Sequence, residues 1–341
     1  MTDERLAFRT CPLCEAGCGL EITVKGSTIG RIRGDMDDVF SHGFICPKGS
    51  TLKQLHEDPD RLRKPHIKRN GVHVEVEWDE AWTEIAGRLQ DVIERHGRDA
   101  VGVYLGNPGA HSLSAMLYNR TLLQGLGTHN RFSASTVDQL PKQVAAGYMF
   151  GTGVSVAVPD LDRTDYLLIL GANPYASNGS VCTAPDFPGR IEAIRARGGK
   201  VVVVDPRRTR TAEEADQWIA MRPATVALFL MAIVNVLFAE NLVKIQDHIA
   251  PLLNGLDEVR EASQEFTPER VAHATGLEPE VMRQVARELS AAKTAALYGR
   301  IGTTTTEFGT TASWLVDVVN TLTGNLDSVG GVMFTKPALG G

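Results

Sequence analysis

The chain has 341 residues, long enough to bury a large core and to hold two or more domains. Its hydrophobic fraction of 43% is ordinary for a globular protein, and a formal net charge of -6 leaves no basic surplus for nucleic acid. The cysteine count is odd, five, which argues for a reducing compartment rather than a disulfide scaffold. The start, Met-Thr-Asp-Glu-Arg, has neither an apolar leader core nor a twin-arginine pair, which favours a cytoplasmic location. The most apolar run, 226–238, is too short to span a bilayer and reads as a buried core helix, so no membrane span is expected.

Cys11, Cys14, Cys18 and Cys46 follow the spacing C-x2-C-x3-C, a long insertion, then C-P-K-G. Thiolates are soft ligands suited to iron–sulfur clusters and to zinc. A [4Fe–4S] cube takes one thiolate per iron, so a compact triplet with one distant partner suits it. Structural zinc usually pairs two short knuckles or adds histidine. Here the last cysteine stands alone and the nearest histidine is His42. Zinc stays open as the rival. Between the third and fourth cysteines, residues 20–35 alternate apolar and polar around Lys25-Gly26, a β-hairpin pattern that would fold Cys46 back over the other three.

Residues 58–70 carry many charges and two prolines and read as a linker. Residues 72–78 alternate as a short strand. Asp79 then caps a helix whose apolar face is Ala81, Ile85, Leu89 and Ile93. Residues 101–105 read as a buried strand, followed by a Gly-Asn-Pro-Gly turn from Gly106. The same grammar recurs at 166–170, an apolar strand ending in Gly171-Ala172-Asn173-Pro174. A helix over 189–197 places Ile191 and Ile194 inward and stops at Gly198-Gly199. The next strand, 201–204, ends in Asp205-Pro206-Arg207-Arg208. Strands alternating with helices imply a parallel sheet covered on both faces, with ligands beyond the carboxyl ends of its strands. Asn173, Asp205, Arg207 and Thr209 lie there, although Asn-Pro and Asp-Pro are also good turn formers.

The cysteine set with its hairpin and C-P-K-G resembles the amino terminus of the molybdopterin oxidoreductases, the dimethyl sulfoxide reductase, nitrate reductase and formate dehydrogenase superfamily. The resemblance extends through L-G-A-N-P-x-x-S-N-G, V-V-D-P-R-R-T and G-R-x-G…L-T-G-N…G-G over nearly the whole chain. It implies an α/β protein with a small β-rich iron–sulfur domain over 1–64. A discontinuous α/β domain over 65–135 and 293–341, incomplete relative to the family, would follow. A Rossmann-like domain over 136–292 would hold a guanine-dinucleotide tail of the pterin.

The resemblance implies the cofactors [4Fe–4S] and a molybdenum or tungsten bis-molybdopterin guanine dinucleotide. Lys48 would relay electrons between cluster and pterin. Gly171, Asn173, Asp205, Arg208, Gly299 and Gly302 would hold the pterin and its tail. Two positions depart from the pattern: the family's R-P-G-T-D is Arg222-Pro-Ala-Thr-Val226 here, and with Val226 a carboxylate expected against guanine is missing. The protein ligand to the metal would come from 129–141, which has no cysteine; Ser133 resembles the serine-ligand members, with Ser135 and Asp138 as rivals. A serine or threonine before Val137 is equally a helix cap. Cys182 reads as a small buried residue.

The implied activity is an oxidoreductase, with oxygen-atom transfer on a small-molecule substrate favoured by the missing cysteine ligand. A redox partner protein or subunit would exchange electrons with the cluster. Family members continue well beyond this length, so a second polypeptide supplying the remainder is a further expected partner. Two other readings stay open: an electron-transfer or structural subunit that keeps fold and cluster without the pterin, and a zinc-stapled nucleotide-binding module.

Overall fold

The computed structural model describes residues 4–179, 181, 182 and 184–336. The chain divides into two compact units, Met1–Ala134 and Ser135–Gly341.

The first unit opens with a three-stranded antiparallel sheet, β1 (Glu4–Thr10), β2 (Gly19–Lys25) and β3 (Thr28–Gly34), in that order. β2 and β3 are the hairpin read from the sequence, turning at Gly26 with φ 60 and carrying a bulge between Ile22 and Val24. β1 was not anticipated, yet it pairs with β2 over all seven residues from Glu4↔Lys25 to Thr10↔Gly19. That pairing puts Cys11 and Cys18 at the same end of the sheet, and Cys11 N–H donates to the Cys18 carbonyl at 2.8 Å.

The linker is shorter than expected, because β4 (His66–Arg69) pairs with β5 (Val72–Glu75). The following helix, Trp78–His96, starts one residue before the expected cap, with Glu77 at the N-cap and Asp79 in the first turn. Only Ala81 of its apolar face is buried. β6 (Val103–Leu105) was expected to be buried, but Tyr104 is 68% exposed. Its sheet has a single partner, the parallel strand β7 (Arg131–Ser133), too little to cover either face.

The second unit is built on a four-stranded parallel sheet. β8 (Ala157–Pro159) lies outside it. Its members are β9 (Tyr166–Leu170), β10 (Lys200–Val204), β11 (Gln217–Ile219) and β12 (Ala295–Gly299), ordered β11-β10-β9-β12. β13 (Val332–Phe334) pairs antiparallel with β8. Strand side chains alternate between two cores. Leu168, Leu170, Val202, Val204 and Leu297 join the helices Val226–Ala239, Pro279–Ala291 and Gly309–Leu322. Leu167, Ile169, Val201, Val203 and Tyr298 join the helix Phe187–Ala196 on the other face. This is the doubly covered parallel sheet expected from the apolar runs. The helix Phe187–Ala196 is capped by Asp186, whose side chain accepts from Gly189 N–H, and Gly198 follows it with φ 85.

The tail 293–341 departs from the expected division. β12 hydrogen-bonds along all five residues to β9 of the Rossmann-like sheet, not to β6 or β7. Its small and apolar faces, Ala295/Leu297 and Ala296/Tyr298, fit the two cores of that sheet. No described helix is long and apolar enough to cross a membrane. The run 226–238 is a buried core helix, as expected.

Candidate cofactor sites

In the first unit the four cysteines gather at one end of the small sheet. Cys11, Cys18 and Cys46 are buried and Cys14 half-buried; Cys11 and Cys18 share a core with Ala16 and Leu20, against which Cys14, Phe44, Ile45 and Leu52 pack. Burial pushes the Cys18 thiol up to about 11, and negative charge on Cys11, Cys14 and Cys46 adds to it. Burial likewise raises Cys11; the Leu13 N–H and the Lys48 ammonium oppose it, while Cys14 and Cys46 reinforce it. The raised Cys11 and Cys18 thiols, close to Cys14 and Cys46, fit a cationic iron cluster, which takes cysteines as thiolates and releases their protons. Among the described residues, no group of three or more His, Cys, Asp or Glu is placed around a single metal ion. A cube spreads its thiolates over four irons, a wider setting.

Cys46 is the N-cap of the short helix Pro47–Ser50, and Lys48 sits on its exposed side. Gly49 is buried against Ile45, where a Cβ would stand 3.9 Å from Cys11 Sγ.

In the second unit the expected cofactor residues collect at the carboxyl end of the parallel sheet. Gly171 and Asn173 follow β9, Asp205 and Arg208 follow β10, and Gly299 ends β12 with Gly302 just beyond. The chain runs β9, β10, β11 to one side and places β12 on the other, so the strand order switches at β9 and β12. The glycines are engaged there with one another. Gly302 N–H donates to the Gly171 carbonyl at 2.9 Å, and a Cβ on either residue would stand 2.7–2.8 Å from the other's backbone. Asn173 Oδ1 accepts from the Thr211 hydroxyl at 2.7 Å. Asp205 is raised by burial, partly offset by the Arg207 N–H, which donates to its Oδ1 at 2.8 Å. The Arg208 guanidinium lies 5.9 Å from the Trp218 ring centre, and Trp218 Nε1 donates to the Asp205 carbonyl.

Sequence reasoning missed Arg300. It follows β12, is 8% exposed, and its Nη1 donates to Asp138 Oδ1 at 2.6 Å. Thr304 Oγ1 donates to the Asp138 carbonyl at 2.7 Å, fixing the same residue twice. Arg300 Nε is buried without a partner. A buried guanidinium N–H left open at the ligand-binding edge fits an anionic or carbonyl-bearing group such as a pterin or its phosphates. The signal was its place in the G-R-x-G motif.

Of the three rival metal ligands, Asp138 is held at this edge by Arg300, Ser135 begins the one-turn helix Ser135–Asp138, and Ser133 ends β7 in the first unit. Val226, where the carboxylate is missing, is 6% exposed and packed in the core. Cys182 is buried, as expected. A cleft of about 640 Å³ in the second unit lies elsewhere, lined by Phe150, Leu252, Trp314, Val318 and Phe334. It is mainly apolar and lacks convergent charge, so the sheet edge remains the better candidate.

Residues 61–336 match the molybdopterin oxidoreductase family model, and residues 9–57 match the molybdopterin oxidoreductase Fe4S4 domain. The chain therefore belongs to the molybdopterin oxidoreductase family. The expected [4Fe–4S] and molybdopterin cofactors are those of its two matched domains. Among curated relatives, the F420-dependent formate dehydrogenase 2 subunit alpha of Methanococcus maripaludis is 28% identical over 91% of this chain and 44% of its own length. Formate dehydrogenase H of Escherichia coli is 29% identical over 93% and 44%. A nitrate reductase of Symbiobacterium thermophilum is 29% identical over 82% and 38%. The fold is similar to that of acetylene hydratase from Pelobacter acetylenicus, with a TM-score of 0.77 and 23% identity, over 93% of this chain and 43% of that one. The chain thus spans less than half the length of these relatives.

Proposed function

We propose that this chain is the cofactor-holding, amino-terminal part of a molybdenum or tungsten bis-molybdopterin guanine dinucleotide oxidoreductase acting by oxygen-atom transfer on a small substrate. The observation that carries the reading is the gathering of Asn173, Asp205, Arg208, Asp138 and the open Arg300 Nε at the carboxyl end of one parallel sheet. The bound metal–pterin group supplies the two-electron chemistry.

The chain's own residues bind and orient. Cys11, Cys14, Cys18 and Cys46 hold the cluster, and the Lys48 cation beside Cys11 favours its reduced state on the path to the pterin. Asp205 and Arg208 take the dinucleotide tail, and Arg300 steadies the pterin. Asp138 replaces Ser133 as the preferred metal ligand, because Arg300 fixes its carboxylate to the edge where the pterin lies. An oxygen ligand and the lack of cysteine over 129–141 support oxygen-atom exchange. Electrons would come from a redox partner in the cytoplasm. The substrate funnel would come from further polypeptide, in this chain or a second one, since the relatives are more than twice as long as the matched part.

The test is cofactor extraction from anaerobically purified protein. The reading expects iron, molybdenum or tungsten, an oxidised fluorescent pterin, and guanosine monophosphate on acid hydrolysis. Iron with no pterin would favour an electron-transfer subunit, and cytidine monophosphate would refute the guanine tail.

A further inference from the structure

We propose that Asp38 and Ser41 form a latch that fixes the fourth cluster cysteine against the other three, making Asp38 a positioning residue for the metal centre. The inference rests on the cluster reading above and adds residues that no motif in the sequence marks.

The segment between Gly34 and Cys46 has no regular secondary structure, yet it must return a thiol to a sheet end some thirty residues back in sequence, an estimate that follows from the ligand spacing. It is tied down at one point, Gly19, the residue after Cys18. The Gly19 N–H donates to Ser41 Oγ at 3.0 Å, and the Gly19 carbonyl accepts from Asp35 N–H at 3.0 Å. Ser41 is held in turn by a single oxygen of Asp38. Oδ1 accepts from the Ser41 N–H at 2.6 Å, the Ser41 hydroxyl at 2.8 Å and the Phe40 N–H at 3.2 Å. Ser41 is 5% exposed; its bond from Gly19 is buried, its two bonds to Asp38 are part-buried, and the Phe40 bond is exposed.

The chain then turns toward the thiols. Phe44 N–H donates to the Ser41 carbonyl at 2.9 Å, and Phe44 and Ile45 enter the core that contains Cys11 and Cys18. Cys46 follows directly. Gly19 also has to be glycine: a Cβ there would stand 2.5 Å from Asp38 Cβ. The latch therefore joins the third ligand to the fourth through two side chains, and its key atom is an acceptor oxygen rather than a charge.

The experiment uses the full chain with its cluster formed anaerobically. Asp38→Ala should lose cluster absorbance to an iron chelator about tenfold faster, the effect of leaving the donors of one shared acceptor unsatisfied. Asp38→Asn keeps Oδ1 and should stay within about twofold of wild type by the same reasoning. The reduced cluster of Asp38→Ala should also give a broadened electron paramagnetic resonance signal, which Asp38→Asn restores. If Asp38→Ala does not fold, Ser41→Ala against Ser41→Thr makes the same comparison, since Thr keeps the hydroxyl.

Wild-type chelation rates in Asp38→Ala, or equal loss in Asp38→Asn and Asp38→Ala, would overturn the latch. If the wild type takes up no iron, the cluster reading fails separately. Amide hydrogen exchange then decides the latch: lost protection of Gly19 and Ser41 in Asp38→Ala supports it, and unchanged protection refutes it.

Discussion

Asp317 shows how one residue can set a pH dependence. It lies on the helix Gly309–Leu322, is 3% exposed, and burial pushes its carboxyl up to about 6, with Lys142 pulling the other way. Lys142 is the one charged residue of the helix Leu140–Phe150 packed against it. Because the folded value lies above the unfolded one of 3.8, the native state favours the protonated acid. The stability this gives is present below about pH 4 and is lost as pH rises through about 6. Asp317→Asn should therefore flatten the slope between these limits and raise stability at neutral pH, by on the order of 3 kcal/mol. Urea titrations at several pH values would read it. The Asp138–Arg300 pair has the opposite logic. Its guanidinium side chain is only 10% exposed. Asp138→Ala leaves that charge alone and should cost about 3 kcal/mol, by denaturation of the apoprotein.

At the scale of elements, the sequence was most legible where strands are buried on both faces. The runs 166–170 and 201–204 are apolar at every position, and the fold uses both faces of each. The hairpin of residues 20–35 was equally legible from its alternation. β1 was not, because Glu4–Thr10 carries four charged or hydroxyl residues and buries little; its partner strand, not its composition, makes it a strand. β4 was hidden for the same reason inside a charged stretch. The glycines of the sheet edge were legible as special. In the fold Gly171 and Gly302 make room for each other, a demand that no ligand imposes. Gly171→Ala adds a methyl at φ 52 into the Gly302 backbone. It should lower stability by about 2 kcal/mol or more even with no cofactor bound, seen in thermal unfolding of the apoprotein. An unchanged midpoint would return Gly171 to a purely ligand-facing role. Arg300 could not be ranked from sequence, since its value comes from Asp138, 162 positions away.

At the scale of the whole molecule the two units differ in how completely they cover their apolar surface. The second unit buries its sheet on both sides. In the first, the helix Leu113–Leu126 has no buried residue, and Leu113, Met116, Leu117, Tyr118 and Leu122 are each more than half exposed. Apolar surface of that extent associates or binds further polypeptide. The isolated chain should bind a hydrophobic dye, and Leu117→Glu with Leu122→Glu should cut that binding by about half, in proportion to the area removed. The family and the two cofactor regions were legible because thiols and strand ends are local in sequence; the assignment of 293–341 to the second unit was not, because β12 finds its place only by pairing with β9, some 130 positions earlier. The most direct test of the central claim is metal analysis of the anaerobically purified chain together with electron paramagnetic resonance after dithionite reduction. The account predicts about four irons per chain and the signal of a reduced [4Fe–4S] cluster, both lost in Cys14→Ser. One zinc per chain with no such signal, or iron unchanged in Cys14→Ser, would contradict it.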